Sequence, residues 1–257
     1  MSAGRIARRA LPGLIGLALV FAIWETIGRI CQATQTIATV PPITKVLSSI
    51  IDDGWEYYGP NVGATAWVAA RGFLWGTGIA VAMAFLVLLV PFLERVIMQI
   101  GVTSYCLPIV AIGSILLLKY DIDTVKVMVA VLFVLFSTLV NTLVGLRSAD
   151  PTSLDVVRAY GGGRIQGLRR VRIKASLPSF FACLQVAGPA AILGAMLGEY
   201  FGADRGLGVG IIRSQQQLQV HRTFAIALVA TAIGAVAYGG AALLARFATP
   251  WAPKAGS

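Results

Sequence analysis

Residues 155–178 read DVVRAYGGGRIQGLRRVRIKASLP and form the longest polar, basic segment of an otherwise apolar chain. Three consecutive glycines, Gly161 to Gly163, lie in its first half. Its basic residues are Arg158, Arg164, Arg169, Arg170, Arg172 and Lys174. A segment of this kind between apolar runs predicts a loop that leaves a membrane and meets a cytoplasmic partner.

The composition of the chain is that of a membrane protein. Of its 257 residues, 57% are hydrophobic and 12% are charged, whereas a soluble domain carries about 25% charged residues. A helix needs roughly 20 apolar residues to cross the hydrocarbon core, and six segments qualify. They are residues 11–30, 64–90, 96–118, 124–146, 179–197 and 224–245, of which the third is interrupted by glycine and proline. We therefore predict an all-α polytopic membrane protein with about six transmembrane helices and one domain, 1–257.

The formal net charge of +10 is explained by topology. Six spans would place both termini and two loops on one side, with 13 basic residues against three acidic ones. The opposite side would carry seven of each. By the positive-inside rule the basic side is cytoplasmic, so we expect a protein of the inner cell membrane with both termini in the cytoplasm. Nucleic acid is not expected as a partner.

The basic loop covers about residues 147–178 and has clear helix signals. Asp150 followed by Pro151 is a strong helix start, and the glycines from Gly161 onward permit a sharp turn that ends the helix. These signals predict a short helix across the cytoplasmic surface with a rigid turn beside it. Such a shape suits docking in a groove of a soluble partner.

This loop resembles the Glu-Ala-Ala loop of the membrane subunits of ABC importers. That loop has an acid–Ala–Ala triplet followed four residues later by Gly. Asp155-Val156-Val157 stand at the triplet and Gly161 at the glycine, with Asp in place of Glu and Val in place of Ala. Leu177-Pro178 is similar to the Leu-Pro of the nitrate, taurine and aliphatic-sulfonate branch.

Other features of that branch follow in order along nearly the whole chain. They are Pro41-Pro42, the sequence FLER at 92–95, LPI at 107–109, and GEYFGA at 198–203 with RGLG at 205–208. The resemblance implies a type I importer permease fold that forms the path for a small solute. It also implies a second permease copy in a homodimer, two copies of an ATP-binding subunit, and an external solute-binding protein.

The resemblance also suggests site residues. The predicted ATPase-coupling residues are Asp155, Arg158, Ala159, Gly161, Gly162 and Arg164. After the fifth span, Glu199, Gly206 and Gly208 are candidates for a gate or a binding-protein contact. Simple capping at a helix boundary explains Glu199 equally well.

Sequence motifs for chemistry are missing. The sequence has no Gly-x-x-x-x-Gly-Lys-Ser/Thr phosphate loop, so we expect ATP hydrolysis in a separate chain and no enzyme activity in this one. The single histidine, His221, and the three cysteines have no metal or disulfide spacing. We predict no catalytic residues, metal or cofactor.

Two rival functions differ in what they require. A secondary transporter needs paired ionisable residues near the middle of the membrane, and the spans lack an acid there. A membrane enzyme needs clustered His, Asp or Ser at one depth, which the sequence does not show.

Arg71, inside the second span, either extends to the interface or lines the solute path. The resemblance covers nitrate, sulfonate, taurine and pyrimidine-precursor systems, so the sequence does not name the solute.

Overall fold

The computed structural model describes residues 3–34, 40–106 and 108–251. In these ranges the regular structure is helical, without strands. The helices are α1 (Ala3–Ala33), α2 (Ile43–Leu89), α3 (Glu94–Cys106), α4 (Ile109–Leu116), α5 (Ile122–Arg147), α6 (Pro151–Ala159), α7 (Arg164–Gly167), α8 (Ile173–Glu199), α9 (Leu207–Gln216) and α10 (Val220–Ala248). A 3₁₀ turn at Pro91–Leu93 and a π-helical turn at Leu168–Arg172 connect neighbouring helices. Leu107, the first residue of the LPI motif, lies outside the described residues.

Five helical segments in the described part are long and apolar enough to cross a membrane. They are Ile15–Ala33, Ile43–Leu89, Ile122–Arg147, Arg164–Glu199 and Val220–Ala248. The all-α, polytopic prediction is confirmed. The stretch predicted as the third span, 96–118, differs from expectation, because it forms the two shorter helices α3 and α4. Pro108 precedes α4 in an extended conformation and has no N–H to donate to the preceding helix.

Two further boundaries differ from the predicted ones. The second predicted span, 64–90, begins earlier than expected, because α2 consists of two helices joined at a kink at Gly54, which is non-helical at φ +60°, and the second of them starts directly after this residue. The second part of the predicted loop, from Arg164 onward, is helical and continues through the π-helical turn into α8. The fifth span therefore begins well before the predicted residue 179.

The chain divides into two compact units. The first comprises Met1–Pro60 and Gly210–Val229. Within it, Glu25 on α1 accepts hydrogen bonds from the backbone N–H of Thr44 at 3.1 Å and from Arg29 at 2.7 Å. Trp24 Nε1 donates to the carbonyl of Pro41 at 3.0 Å. The bonds of Glu25 with Thr44 and of Trp24 with Pro41 attach the start of α2 to α1.

The second unit comprises Asn61–Val209 and Ala230–Ser257. Its core is the antiparallel pair α5 and α8, which approach closely where glycines face the partner helix. Gly194 lies against Ala130 and Phe133, and Gly145 lies against Ser176 and Ser179. Small residues at these positions allow two membrane helices to pack at short range.

Candidate functional site

The helix α6 begins as its sequence predicts. The Asp150 carboxylate accepts hydrogen bonds from the backbone N–H groups of Thr152 at 3.3 Å and Ser153 at 3.0 Å. The Ser153 hydroxyl donates a third bond at 3.0 Å. These bonds hold the pKa of Asp150 below its usual value, and the bond from the Ser153 hydroxyl has the largest effect. The carboxylate therefore satisfies N–H groups that would otherwise lack partners at the start of the helix.

The end of α6 is a Schellman turn built on two glycines. Gly161 has φ +76° and donates its N–H to the Arg158 carbonyl at 2.9 Å, while the N–H of Gly162 donates to the Val157 carbonyl at 2.8 Å. This pair of bonds defines the Schellman motif. A Cβ at Gly162 would also overlap Val157 and the side chain of Gln166. The first glycine is needed for its backbone conformation and the second for space.

The two sides of α6 differ in exposure. Leu154 and Val157 are half-buried, whereas Val156 is 52% exposed and Tyr160 is 90% exposed. Ile165 on α7 is also exposed. We call Val156, Tyr160 and Ile165 the outer apolar surface of the loop. Large apolar side chains exposed on a polar loop are candidates for contact with another protein.

The predicted coupling residues lie together on this loop. Asp155, Arg158, Ala159, Gly161 and Arg164 are exposed, and Gly162 is half-buried. Arg158 donates to Asp155 at 2.9 Å. Both side chains are exposed, so the pair adds little to stability.

The loop is attached to the ends of two neighbouring helices, a feature that sequence reasoning missed. Arg172 in the π-helical turn donates to the carbonyl of Leu146 on α5 at 3.3 Å. Arg147, the last residue of α5, pairs with Glu94 at the start of α3, and this hydrogen bond lowers the pKa of Glu94 from its usual value. In the sequence, the charge of Glu94 in the FLER stretch is a signal for an ion pair, but the charge alone does not identify the partner of this residue.

The second predicted group, Glu199, Gly206 and Gly208, forms one buried cluster. Glu199 is 1% exposed and accepts hydrogen bonds from the Thr65 hydroxyl and from the N–H of Gly208, both at 2.7 Å. Gly206 has φ +137°, and a Cβ there would overlap the Glu199 carboxylate. The cluster orders the start of α9, which agrees with the capping interpretation. A role as a gate or binding-protein contact stays a prediction.

Two residues of α2 complete this cluster and were missed from the sequence. The Thr65 hydroxyl accepts from the N–H of Leu207 at 2.9 Å, and Asn61 Oδ1 accepts from the N–H of Gly206 at 3.0 Å. The bonded residues are 142 and 145 positions apart in the chain, so no local pattern could show the connection.

Arg71 lines a cavity of about 510 Å³ together with apolar residues that include Trp75, Met128 and Leu132. The role of Arg71, in the solute path or at the interface, stays a prediction. Among the described residues, no group of three or more His, Cys, Asp or Glu side chains could hold a metal ion.

Residues 76–249, more than half of the chain, match the family of binding-protein-dependent transport system inner membrane components. The chain belongs to this family. The expected resemblance to ABC importer permeases is thereby confirmed.

Named relatives of this permease match most of its length. It is 25% identical over 247 residues to the formylaminopyrimidine transport permease protein ThiX of Halalkalibacterium halodurans, covering 96% of this chain and 98% of ThiX. It is 26% identical over 247 residues to the permease protein SsuC of Bacillus subtilis, whose name refers to aliphatic sulfonates transport, covering 94% and 87%. It is 28% identical over 160 residues to the riboflavin transport system permease protein RibX of Chloroflexus aurantiacus, covering 62% and 60%.

These findings establish the function at the level of the class. The chain is the transmembrane permease subunit of an ABC importer for a small solute, and it is a multi-pass protein of the inner membrane. The branch expected from the sequence, which includes aliphatic sulfonate systems, is represented among its relatives.

Proposed function

We propose that two copies of this permease form the path for a small organic solute, and that the loop 147–178 of each copy docks on one ATP-binding subunit. The ATP-binding subunits hydrolyse ATP, and an external binding protein delivers the solute. Both termini and the docking loop face the cytoplasm. The names of the relatives refer to formylaminopyrimidine, aliphatic sulfonates and riboflavin, which supports an organic solute.

The observation that carries the docking proposal is the outer apolar surface on α6 and α7. Val156, Tyr160 and Ile165 are exposed beside a turn that hydrogen bonds within the loop hold closed. A helix that inserts one apolar face into a groove is a common recognition mode, and tyrosine is enriched at such interfaces. The rigid turn would present this face with little loss of conformational entropy on binding.

The attachments of the loop support a route for movement into the membrane. A displaced α6 would move the end of α5 through the Arg172 bond to Leu146, and the start of α3 through the pair of Arg147 with Glu94. Rigid-body movement of packed helices is an established form of switching. The same displacement would move α8 directly, because the loop continues into it.

The segment Arg164–Glu199 links the loop to the buried cluster at its other end. It contains 36 helical residues, which corresponds to about 54 Å at a rise of 1.5 Å per residue. Its last residue, Glu199, holds the start of α9 through Gly208. In this proposal the cluster of Glu199, Gly206 and Gly208 receives on the external side a movement that begins at the ATP-binding subunit.

The docking proposal is tested by co-purifying tagged permease with its co-expressed ATP-binding subunit. Tyr160→Ser should reduce the amount of ATP-binding subunit recovered and lower solute-stimulated ATP hydrolysis in proteoliposomes. Tyr120→Ser, which changes another exposed tyrosine in the turn before α5, is the matched control and should behave like the parent. A Tyr160→Ser complex that assembles and transports normally would refute the docking surface.

A further inference from the structure

A cavity of about 690 Å³ lies on the inner side of the loop, against the ends of α2 and α5. Four arginines line it, one from α5, one from α6, one from α7 and one from the π-helical turn: Arg147, Arg158, Arg164 and Arg172. None of the described residues that line it is acidic. A pocket of this size is in the range of about 300–1,000 Å³ that holds drug-sized ligands.

Two of the four guanidinium groups are neutralised within the protein and two are not. Arg147 pairs with Glu94, and Arg158 pairs with Asp155. Arg164 and Arg172 have no carboxylate partner among the described residues, and the bond of Arg172 goes to a neutral carbonyl. The cavity therefore has two positive charges that an anion can neutralise.

The opposite part of the cavity is apolar. Val87, Leu88 and Leu89, the last residues of α2, line it together with Leu168. Leu89 is 46% exposed, and it ends a helix that is long enough to span the membrane. The cavity thus joins a basic part, on the polar loop, to an apolar part at the membrane end of α2.

We propose that this cavity binds an anionic phospholipid, with the phosphate between Arg164 and Arg172 and an acyl chain along Leu88 and Leu89. Arginine binds phosphate through two parallel hydrogen bonds, and basic pockets at the cytoplasmic ends of membrane helices bind anionic headgroups. The shared chemistry is a phosphate group, which a free phosphate ion also carries. The lipid is favoured because a free ion would leave the apolar part of the cavity without a ligand.

The cavity shares Arg158, Gly162 and Arg164 with the predicted coupling residues but is lined by different apolar residues of α6 from those of the outer apolar surface. The cavity is lined by Leu154 and Val157, the half-buried residues of α6, whereas the outer apolar surface carries Val156 and Tyr160. A lipid in the cavity would contact α2, α6 and the π-helical turn at once. It would thereby hold the loop in place, so that coupling to ATP hydrolysis depends on the content of anionic lipid. This inference does not require that α6 is the docking helix.

The test uses the assembled importer in nanodiscs of phosphatidylcholine with added dioleoyl phosphatidylglycerol. Native mass spectrometry counts the phosphatidylglycerol molecules retained after delipidation. Arg164→Gln/Arg172→Gln should lower the affinity for the retained lipid about tenfold or more, because each basic residue near a membrane surface contributes to anionic lipid binding. Arg169→Gln/Arg170→Gln removes the same charge from the same segment at exposed positions that do not line the cavity, and it should retain the lipid.

Further arms identify the ligand and the role of the cavity. Millimolar inorganic phosphate should not displace the lipid. Displacement of the lipid by phosphate would overturn the proposal, and so would an equal loss of retained lipid in both double variants. Loss of the ATP-binding subunit with full retention of lipid in Arg164→Gln/Arg172→Gln would assign the cavity to the protein interface instead. If the double variant fails to fold, Arg164→Gln alone provides the test. It changes an exposed residue and should weaken lipid retention. Unchanged retention in that single variant would also refute the site.

Discussion

The hydroxyl of Thr65 donates a 2.7 Å hydrogen bond to the buried carboxylate of Glu199, a residue 134 positions later in the chain. The same hydroxyl accepts the N–H of Leu207. Thr65 on α2 therefore connects the end of α8 to the start of α9. This small side chain is a central member of the buried cluster, although the sequence around it contains no motif that marks it.

Thr65→Val should destabilise the permease. Valine keeps the shape but leaves the Glu199 carboxylate and the Leu207 N–H each without one hydrogen bond, which costs about 1–3 kcal/mol for a buried group. The melting temperature of the purified protein in detergent should fall. Thr65→Ser keeps the hydroxyl and should stay close to the parent. Equal melting of the valine variant and the parent would show that the bond contributes nothing.

Gly161→Trp should impair coupling without preventing membrane insertion. The position has φ +76°, and no neighbouring atom lies within 4 Å of the place that a Cβ would occupy. The variant therefore loses only the permissive backbone, about 1 kcal/mol, and places a bulky ring beside the docking helix. Expression should stay near normal, while co-purification with the ATP-binding subunit falls.

Two further variants accompany this experiment. Asp155→Lys should act in the same direction more weakly, because it reverses one charge in the middle of the docking helix and removes the pair with Arg158. Arg246→Ala on α10 serves as the control and should behave like the parent. Normal assembly and transport by the Gly161→Trp complex would contradict the docking role.

Gly162 and Gly163 are a matched pair of positions that tests whether the turn depends on close packing. A Cβ at Gly162 would overlap Val157 and Gln166, whereas a Cβ at Gly163 has nothing within 4 Å. Gly162→Ala should therefore distort the turn and reduce solute-stimulated ATP hydrolysis, while Gly163→Ala should be nearly neutral. Equal activity of the two variants in proteoliposomes would show that the close packing at Gly162 is unimportant.

Ser153→Cys should react with an impermeant maleimide only from the cytoplasm. The expectation rests on the excess of basic residues on that side of the predicted topology. The experiment uses a background in which Cys31, Cys106 and Cys183 are replaced by alanine. Gln217→Cys, in the segment predicted to be external, should label from outside intact cells. Labelling of Ser153→Cys from outside would invert the topology.

Much of the candidate loop was predictable because its structure depends on neighbours in the chain. Asp150 caps α6 through residues two and three positions later, and the glycine turn ends the helix through bonds to residues three to five positions earlier. The start and end of α6 are thereby confirmed. The long apolar runs likewise predicted the membrane-spanning helices, because length and apolar composition alone decide whether a helix can cross the bilayer.

Other features depended on groups that only the folded chain brings together. Pro108 interrupted an apolar stretch in the sequence, but whether it would bend one span or separate two helices depended on packing, such as Gly113 against the ring of Phe201. The tertiary structure likewise decided which arginines face the cavity, because their positions depend on how the loop folds back on α2 and α5.

The sequence alone determined that this is a helical membrane protein with a capped helix in a basic loop, since hydrophobic length and capping act between near neighbours. The tertiary structure decided that Thr65 reaches Glu199 and that Arg147 pairs with Glu94. The physical reason is that hydrogen bonds and ion pairs act over a few ångströms of space, whatever the distance along the chain.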